Sequence, residues 1–260
     1  MKTNEIILEN DTRTKEFFRK QDKTLYTNII KFAPEALAAL KKGHAIYKGF
    51  DYKFSYESSV LITDPKRVIR KSANTTNQYT LLFSNLPSWA SYPKRNQSII
   101  ATTSLRYASG YGNAYLVLPF DGAKIGVCSG SDMWDTFYKN LGNNTIEMFA
   151  SFLQLKNISG DTYKKLISEI FYKRKHLGNG WTWRFTPKFA QDLASCSTES
   201  DVISLLSLYL QPKSGGFKLT TISHLPKENR EVWFDSKAFL IKVHSDFYRR
   251  YFPETADFLY

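Results

Sequence analysis

The chain has 260 residues, of which 42 % are apolar, 23 % charged and 15 % aromatic, and its formal net charge is +12. That length and composition suit a folded chain with a real core, and two cysteines, Cys128 and Cys196, exclude a disulfide-stapled scaffold. The basic excess points to a polyanionic partner: nucleic acid, an anionic surface or an acidic protein.

Residues 1–33 place Phe17, Phe18, Leu25, Ile29, Ile30 and Phe32 at helical spacing, predicting one apolar face. Charges run through this segment, so it has neither the apolar core of a signal peptide nor the length of apolar residues a membrane span needs. The expectation is a cytoplasmic protein without a membrane partner, or one exported by a route that leaves no N-terminal signature. Pro34 opens a second helix, which ends at Lys41-Lys42-Gly43. Residues 44–50, HAIYKGF, follow as a strand carrying Tyr47, Lys48 and Gly49.

Residues 51–97 are turn-rich and basic, with Arg67 and Arg70 among their cations, and include a strand-like run at 79–83. Residues 98–127 then read as an apolar strand ending in Thr102-Thr103-Ser104, a short Ala/Gly/Tyr-rich piece, and a strand–turn–strand about Asp121-Gly122. Residues 130–214 are mainly helical, with helices expected over 131–137, 146–155, 163–172, 187–194 and 201–210. Between them, residues 173–185 set basic residues beside Trp181 and Trp183, a pattern that can stack unpaired bases. After a Ser-Gly-Gly loop at 214–216 comes a short strand at 217–222, and residues 231–243, EVWFDSKAFLIKV, form a last strand–turn–strand. Asn229 and Glu231, two residues apart, share a face of an extended chain.

Three of these stretches together resemble the mono-ADP-ribosyltransferases: Tyr47-Lys48-Gly49 for the family's aromatic–Arg–Gly strand, Thr102-Thr103-Ser104 for its Ser-Thr-Ser strand, and Asn229-x-Glu231 for its Glu/Gln-x-Glu strand. The resemblance implies an α+β fold with a split two-sheet β core around an NAD cleft, an N-terminal helical segment (1–43) and a mainly helical insertion (130–214), all in one domain over 1–260. It implies NAD+ as substrate, with no metal. Lys48 would face its phosphates beside Tyr47 and Gly49, while Thr102, Thr103 and Ser104 would line the floor, Thr102 touching the ribose and the catalytic glutamate. Glu231 would be that glutamate and Asn229 would sit by the acceptor.

Lysine at 48 keeps a charge but loses the guanidinium fork, so Arg67 or Arg70 is the candidate to supply one. Glu147 lies at the usual distance after Thr102, but its surroundings read as a capped helix, so Glu231 is preferred. The expected activity is transfer of ADP-ribose to a macromolecular acceptor, with nucleic acid (RNA or DNA) favoured by the charge over a host protein. The resemblance suggests a toxin or phage–host conflict factor, for which an antitoxin or inhibitor protein is a further partner. The alternative is a non-catalytic basic nucleic-acid-binding or virion-associated protein on a degenerate version of the same fold, because Lys48 and Asn229 depart from the family pattern.

Overall fold

The strand–turn–strand stretches and the helical N-terminal segment are all present in the computed structural model, which describes residues 12–50, 59–67, 77–133, 136, 158, 160–174 and 187–253. The chain is α+β. Its strands are β1 (Ile46–Phe50), β2 (Val60–Thr63), β3 (Ile99–Thr102), β4 (Asn113–Pro119), β5 (Ile125–Val127), β6 (Lys218–Thr220), β7 (Glu231–Phe234) and β8 (Ala238–Lys242). They pair antiparallel in the order β2-β8-β4-β1-β3-β7-β5-β6. The described helices are α1 (Thr12–Phe32), α2 (Pro34–Lys41), α3 (Asn77–Asn85), α4 (Leu105–Ser109), α5 (Tyr163–Lys173), α6 (Pro187–Ser195), α7 (Glu199–Tyr209) and α8 (Asp246–Tyr251).

Strand β7 shows how the sheet divides the interior. Val232 and Phe234 enter a core with Ile29, Ala36 and Leu40 of α1 and α2 and Phe247 and Tyr248 of α8. Trp233, between them, points the opposite way. It enters a second core with Leu82 and Phe83 of α3, Ile170 of α5 and Leu206 of α7. Strands β4 and β8 are continuous apolar runs rather than alternating ones, and Leu116, Val117, Phe239 and Leu240 among them all belong to the first core. The α1–α2 joint is tied to the turn after β4: Asp121 Oδ1 accepts from the Glu35 amide at 3.1 Å, and the Asp121 amide donates to Phe32 O at 3.0 Å. Gly122, at φ +75°, makes that turn possible. Ile30 and Phe32, expected on the apolar face of α1, remain exposed, although the Phe32 ring stacks on Phe120.

The expected split into two sheets takes a different form. The strands are one hydrogen-bonded series, but it narrows sharply at its centre. Strands β1 and β4 stay in register from Ile46–Val117 to Phe50–Asn113, and β3 and β7 from Ile99–Phe234 to Thr102–Glu231. Between β1 and β3, one registered pair, Tyr47 with Thr102, joins the halves. A side-chain bond reinforces that join: Lys48 Nζ donates to Ile100 O at 2.8 Å.

Where the β1–β3 ladder stops, α4 closes against β1. A Cβ at Gly49 would lie 2.0 Å from Ala108 O and 2.8 Å from Tyr111 Cβ, so only glycine lets the helix approach this closely. The strand-like run 79–83 is in fact part of α3; a short apolar run buried on several sides has no distinctive period, and its Tyr79, Leu82 and Phe83 pack into the second core. The helices expected at 163–172, 187–194 and 201–210 are α5, α6 and α7, the last beginning two residues earlier behind a Thr198–Asp201 capping box. The helix expected at 146–155 lies outside the described residues, as do residues 134, 135 and 137 of that expected at 131–137. Gly49→Ala should lower the unfolding free energy by about 1–3 kcal/mol, read as a lower urea midpoint at unchanged m-value. An unchanged midpoint would contradict the contact of α4 with β1.

Candidate functional site

Sheet register brings the three motif-bearing stretches together. Tyr47 of β1 pairs with Thr102 of β3, and Thr102 pairs with Glu231 of β7, so these three residues form one row across adjacent strands. Residues opposed in this way stand close enough for their side chains to interact. Asn229 joins the row from the approach to β7: Thr102 Oγ1 donates to Asn229 Oδ1 at 2.8 Å. The expected contact of this hydroxyl was with the glutamate; its hydrogen bond goes instead to the amide two residues earlier.

The other two hydroxyls serve the backbone. Thr103 Oγ1 accepts from the Arg230 amide at 3.0 Å and donates to Glu228 O. With Thr103 N bonded to Arg230 O at 3.0 Å, this pins the end of β3 to the chain entering β7. Ser104, expected to line the floor of the cleft, caps α4: its Oγ accepts from Tyr107 N at 3.2 Å. Its own amide donates to Thr102 Oγ1, also at 3.2 Å. The stretch Thr102-Thr103-Ser104 thus ends a strand, clamps a neighbour and begins a helix within three residues.

Lys48, expected to face a ligand's phosphates, is half-buried and braces β3 through Ile100 O, with its Nζ 5.2 Å from the centre of the Phe50 ring. Its charge therefore sits at the sheet junction. Arg70 lies outside the described residues, as do Glu147, Trp181 and Trp183. Arg67 is described and lies elsewhere, its side chain 79 % exposed and paired with Asp64.

The guanidinium in this site belongs to Arg95, which composition and motif do not single out. Its Nη1 is 2.6 Å from Glu231 Oε1, and the two side chains are 12 % and 13 % exposed. Glu231 Oε2 accepts from the Met133 amide at 3.4 Å. The Cys128 thiol lies 4.0 Å from Oε1. Burial pushes that thiol well above its usual range, the Glu231 charge adds to the rise, and Arg95 opposes it. A thiol held protonated is a poor nucleophile.

Tyr107 and Tyr111 of the α4 region stand in T-shaped contact with ring centres 5.7 Å apart. The Tyr111 ring is more than half exposed. The Tyr107 hydroxyl is pushed up to about 12, first by its contact with the Tyr111 hydroxyl, then by burial and by the negative charges of neighbours that include Asp132 and Glu231. The site therefore offers a carboxylate, an amide, a guanidinium and an accessible aromatic ring. The carboxylate, the amide and the ring are groups that can meet sugar hydroxyls and a planar ring, while the guanidinium is taken up by Glu231. Tyr107 and Tyr111 were visible in the sequence only as part of a Gly/Tyr-rich piece; their relevance comes from Ser104 starting a helix there.

No family model, no curated protein and no solved structure matches this chain.

Tyr47, Cys128 and Tyr107 all hold their protons more tightly in the folded chain than at the ordinary values of 10.0 for tyrosine and 9.0 for cysteine. The unfolded chain then binds fewer protons at alkaline pH, so stability falls as pH rises. Thermal midpoints should be level up to about pH 9 and decline from there towards pH 11. A midpoint that rose over this interval would contradict the burial of these groups.

Proposed function

We propose that this chain is an ADP-ribosyltransferase that moves ADP-ribose from NAD+ to a macromolecular acceptor, with nucleic acid as the acceptor. The observation that supports this reading is the row Tyr47–Thr102–Glu231. Three stretches far apart in sequence, each resembling a different motif of that family, are neighbours at the centre of the sheet.

Breaking the nicotinamide–ribose bond develops positive charge on the sugar, and a fixed carboxylate stabilises such charge. Glu231 is the carboxylate for that role. It is enclosed enough for its charge to act in a low-dielectric setting, and among the described residues Oε2 makes a long contact with the Met133 amide, which leaves it able to accept from a sugar hydroxyl. Asn229, held by Thr102, is positioned beside it for the acceptor. Tyr111, more than half exposed, offers an aromatic side chain for a planar group. Lys48 contributes by holding β1 to β3, which differs from the phosphate contact that the resemblance implies. The preference for a nucleic-acid acceptor rests on the net charge of +12.

One observation favours the alternative, a basic nucleic-acid-binding protein without catalysis: Glu231 is paired with Arg95, and Thr102 with Asn229, in the manner of a self-satisfied structural cluster. The experiment that separates the readings incubates purified protein with NAD labelled on the adenylate and a cell lysate. Label lost to nuclease and retained after protease is the expected result; the reverse would shift the acceptor to protein. Glu231→Gln should cut transfer by roughly 1,000-fold and, because it leaves Arg95 without its charged partner, should also lower the thermal midpoint, so transfer is compared at a temperature where both proteins are folded. Neither label transfer nor nicotinamide release, together with salt-sensitive RNA or DNA binding, would establish the non-catalytic alternative.

A further inference from the structure

We infer that Arg95 is the positioning residue of this site, fixing the Glu231 carboxylate in the orientation in which it meets substrate; this rests on the transferase reading above. The argument begins at Trp233, on the same strand as Glu231 and two residues on, so both side chains leave the same face of β7. Trp233 is fully buried, and its Nε1 donates to Pro93 O at 3.0 Å. That bond anchors the segment carrying Arg95 to the strand carrying Glu231.

Further bonds fix the segment from its other side. The Asn96 amide donates to Ser84 Oγ of α3 at 3.1 Å, and the Tyr92 hydroxyl donates to Phe217 O at 3.0 Å. The Arg95 guanidinium lies 5.7 Å from the centre of the Trp233 ring, a cation–π distance, while Nη1 holds Glu231 Oε1. Gly126 of β5 belongs to the same assembly. A Cβ there would meet the Trp233 ring at 2.4 Å, so the absence of a side chain on the neighbouring strand lets the indole lie where it does.

The geometry divides the work between the two carboxylate oxygens. Oε1 is committed to Arg95, and Oε2, 3.4 Å from the Met133 amide, is the oxygen left for substrate. A glutamate side chain has three rotatable bonds, and an unrestrained carboxylate would sample several rotamers. One strong charge-assisted bond on one oxygen selects a single orientation. Lysine could keep the charge, but it would lose the planar group that lies over the indole. Arg95 acts through Glu231, and the substrate contact belongs to Glu231.

The test is a double-mutant cycle on nicotinamide release, using Arg95→Ala, Glu231→Gln and the combination, with thermal midpoints measured throughout. Arg95→Ala should reduce kcat by about 100-fold and leave the dissociation constant for NAD within about threefold. In the Glu231→Gln background the same change should cost almost nothing further, because the group on which Arg95 acts is already disabled. Arg95→Lys should recover part of the loss, and added guanidinium ion should partly restore Arg95→Ala.

Losses that multiply in the combined variant would overturn the inference, since a structural defect or a direct substrate contact would act in either background. So would a kcat unchanged by Arg95→Ala, or a loss confined to NAD affinity. A wild-type protein that releases no nicotinamide would reject the transferase reading and this inference with it. An active wild type with multiplying losses would reject the inference alone.

Discussion

The join between β1 and β3 is the constraint on which the architecture turns. The ladders on either side, β1 with β4 and β3 with β7, run over five and four registered pairs; here one pair, Tyr47 with Thr102, carries the connection, supplemented by the Lys48–Ile100 bond. A ladder that ends early leaves backbone groups and side chains at its end available for something else. In this chain they begin α4, satisfy the approach to β7 and gather Asn229 and Glu231 beside Thr102. A fully zipped junction would bury this end of β3 in regular hydrogen bonding and leave no rim for a site.

Glu231 illustrates the electrostatic side of that arrangement. A carboxylate with this little exposure needs a partner, because an unpaired buried charge loses hydration that no apolar neighbour returns. Arg95 supplies one. The same pairing moderates the negative charge that makes a carboxylate useful, so the arrangement is a compromise between holding the group in place and leaving it effective. An ion pair to one oxygen, with the other in a long contact to an amide, is a geometry in which both demands are met in part.

Much of this was legible in the sequence, for identifiable reasons. Helical spacing located α1, α5 and α7, and proline and glycine bracketed α2. The Asp121-Gly122 turn and the strands on either side of it were local patterns, as were β7 and β8. The run 79–83 was misread because its apolar residues are too few to separate a period of two from one of 3.6. Arg95 could not be read at all. It was one cation among many in a basic loop, and its partner lies 136 positions further along the chain. The roles of Gly49 and Gly126 were equally hidden, because each is set by what another element places against it, Ala108 in one case and Trp233 in the other. Lys48 was noticed for its charge, whereas its observed work is at the sheet junction.

The sheet order also governs how such a chain reaches its native state. Strand β7 lies between β3 and β5, and β8 between β2 and β4, so the last two strands in sequence occupy interior places among strands made much earlier. During synthesis, β3 and β5 therefore emerge with a gap between them that stays open until the chain past Phe234 has left the ribosome. Loops of that length close slowly, and the waiting edges are open to mispairing. The candidate site therefore depends on one insertion: its glutamate and its indole anchor both lie on β7, the strand that joins the two cores, which takes its place between two strands that precede it in the chain.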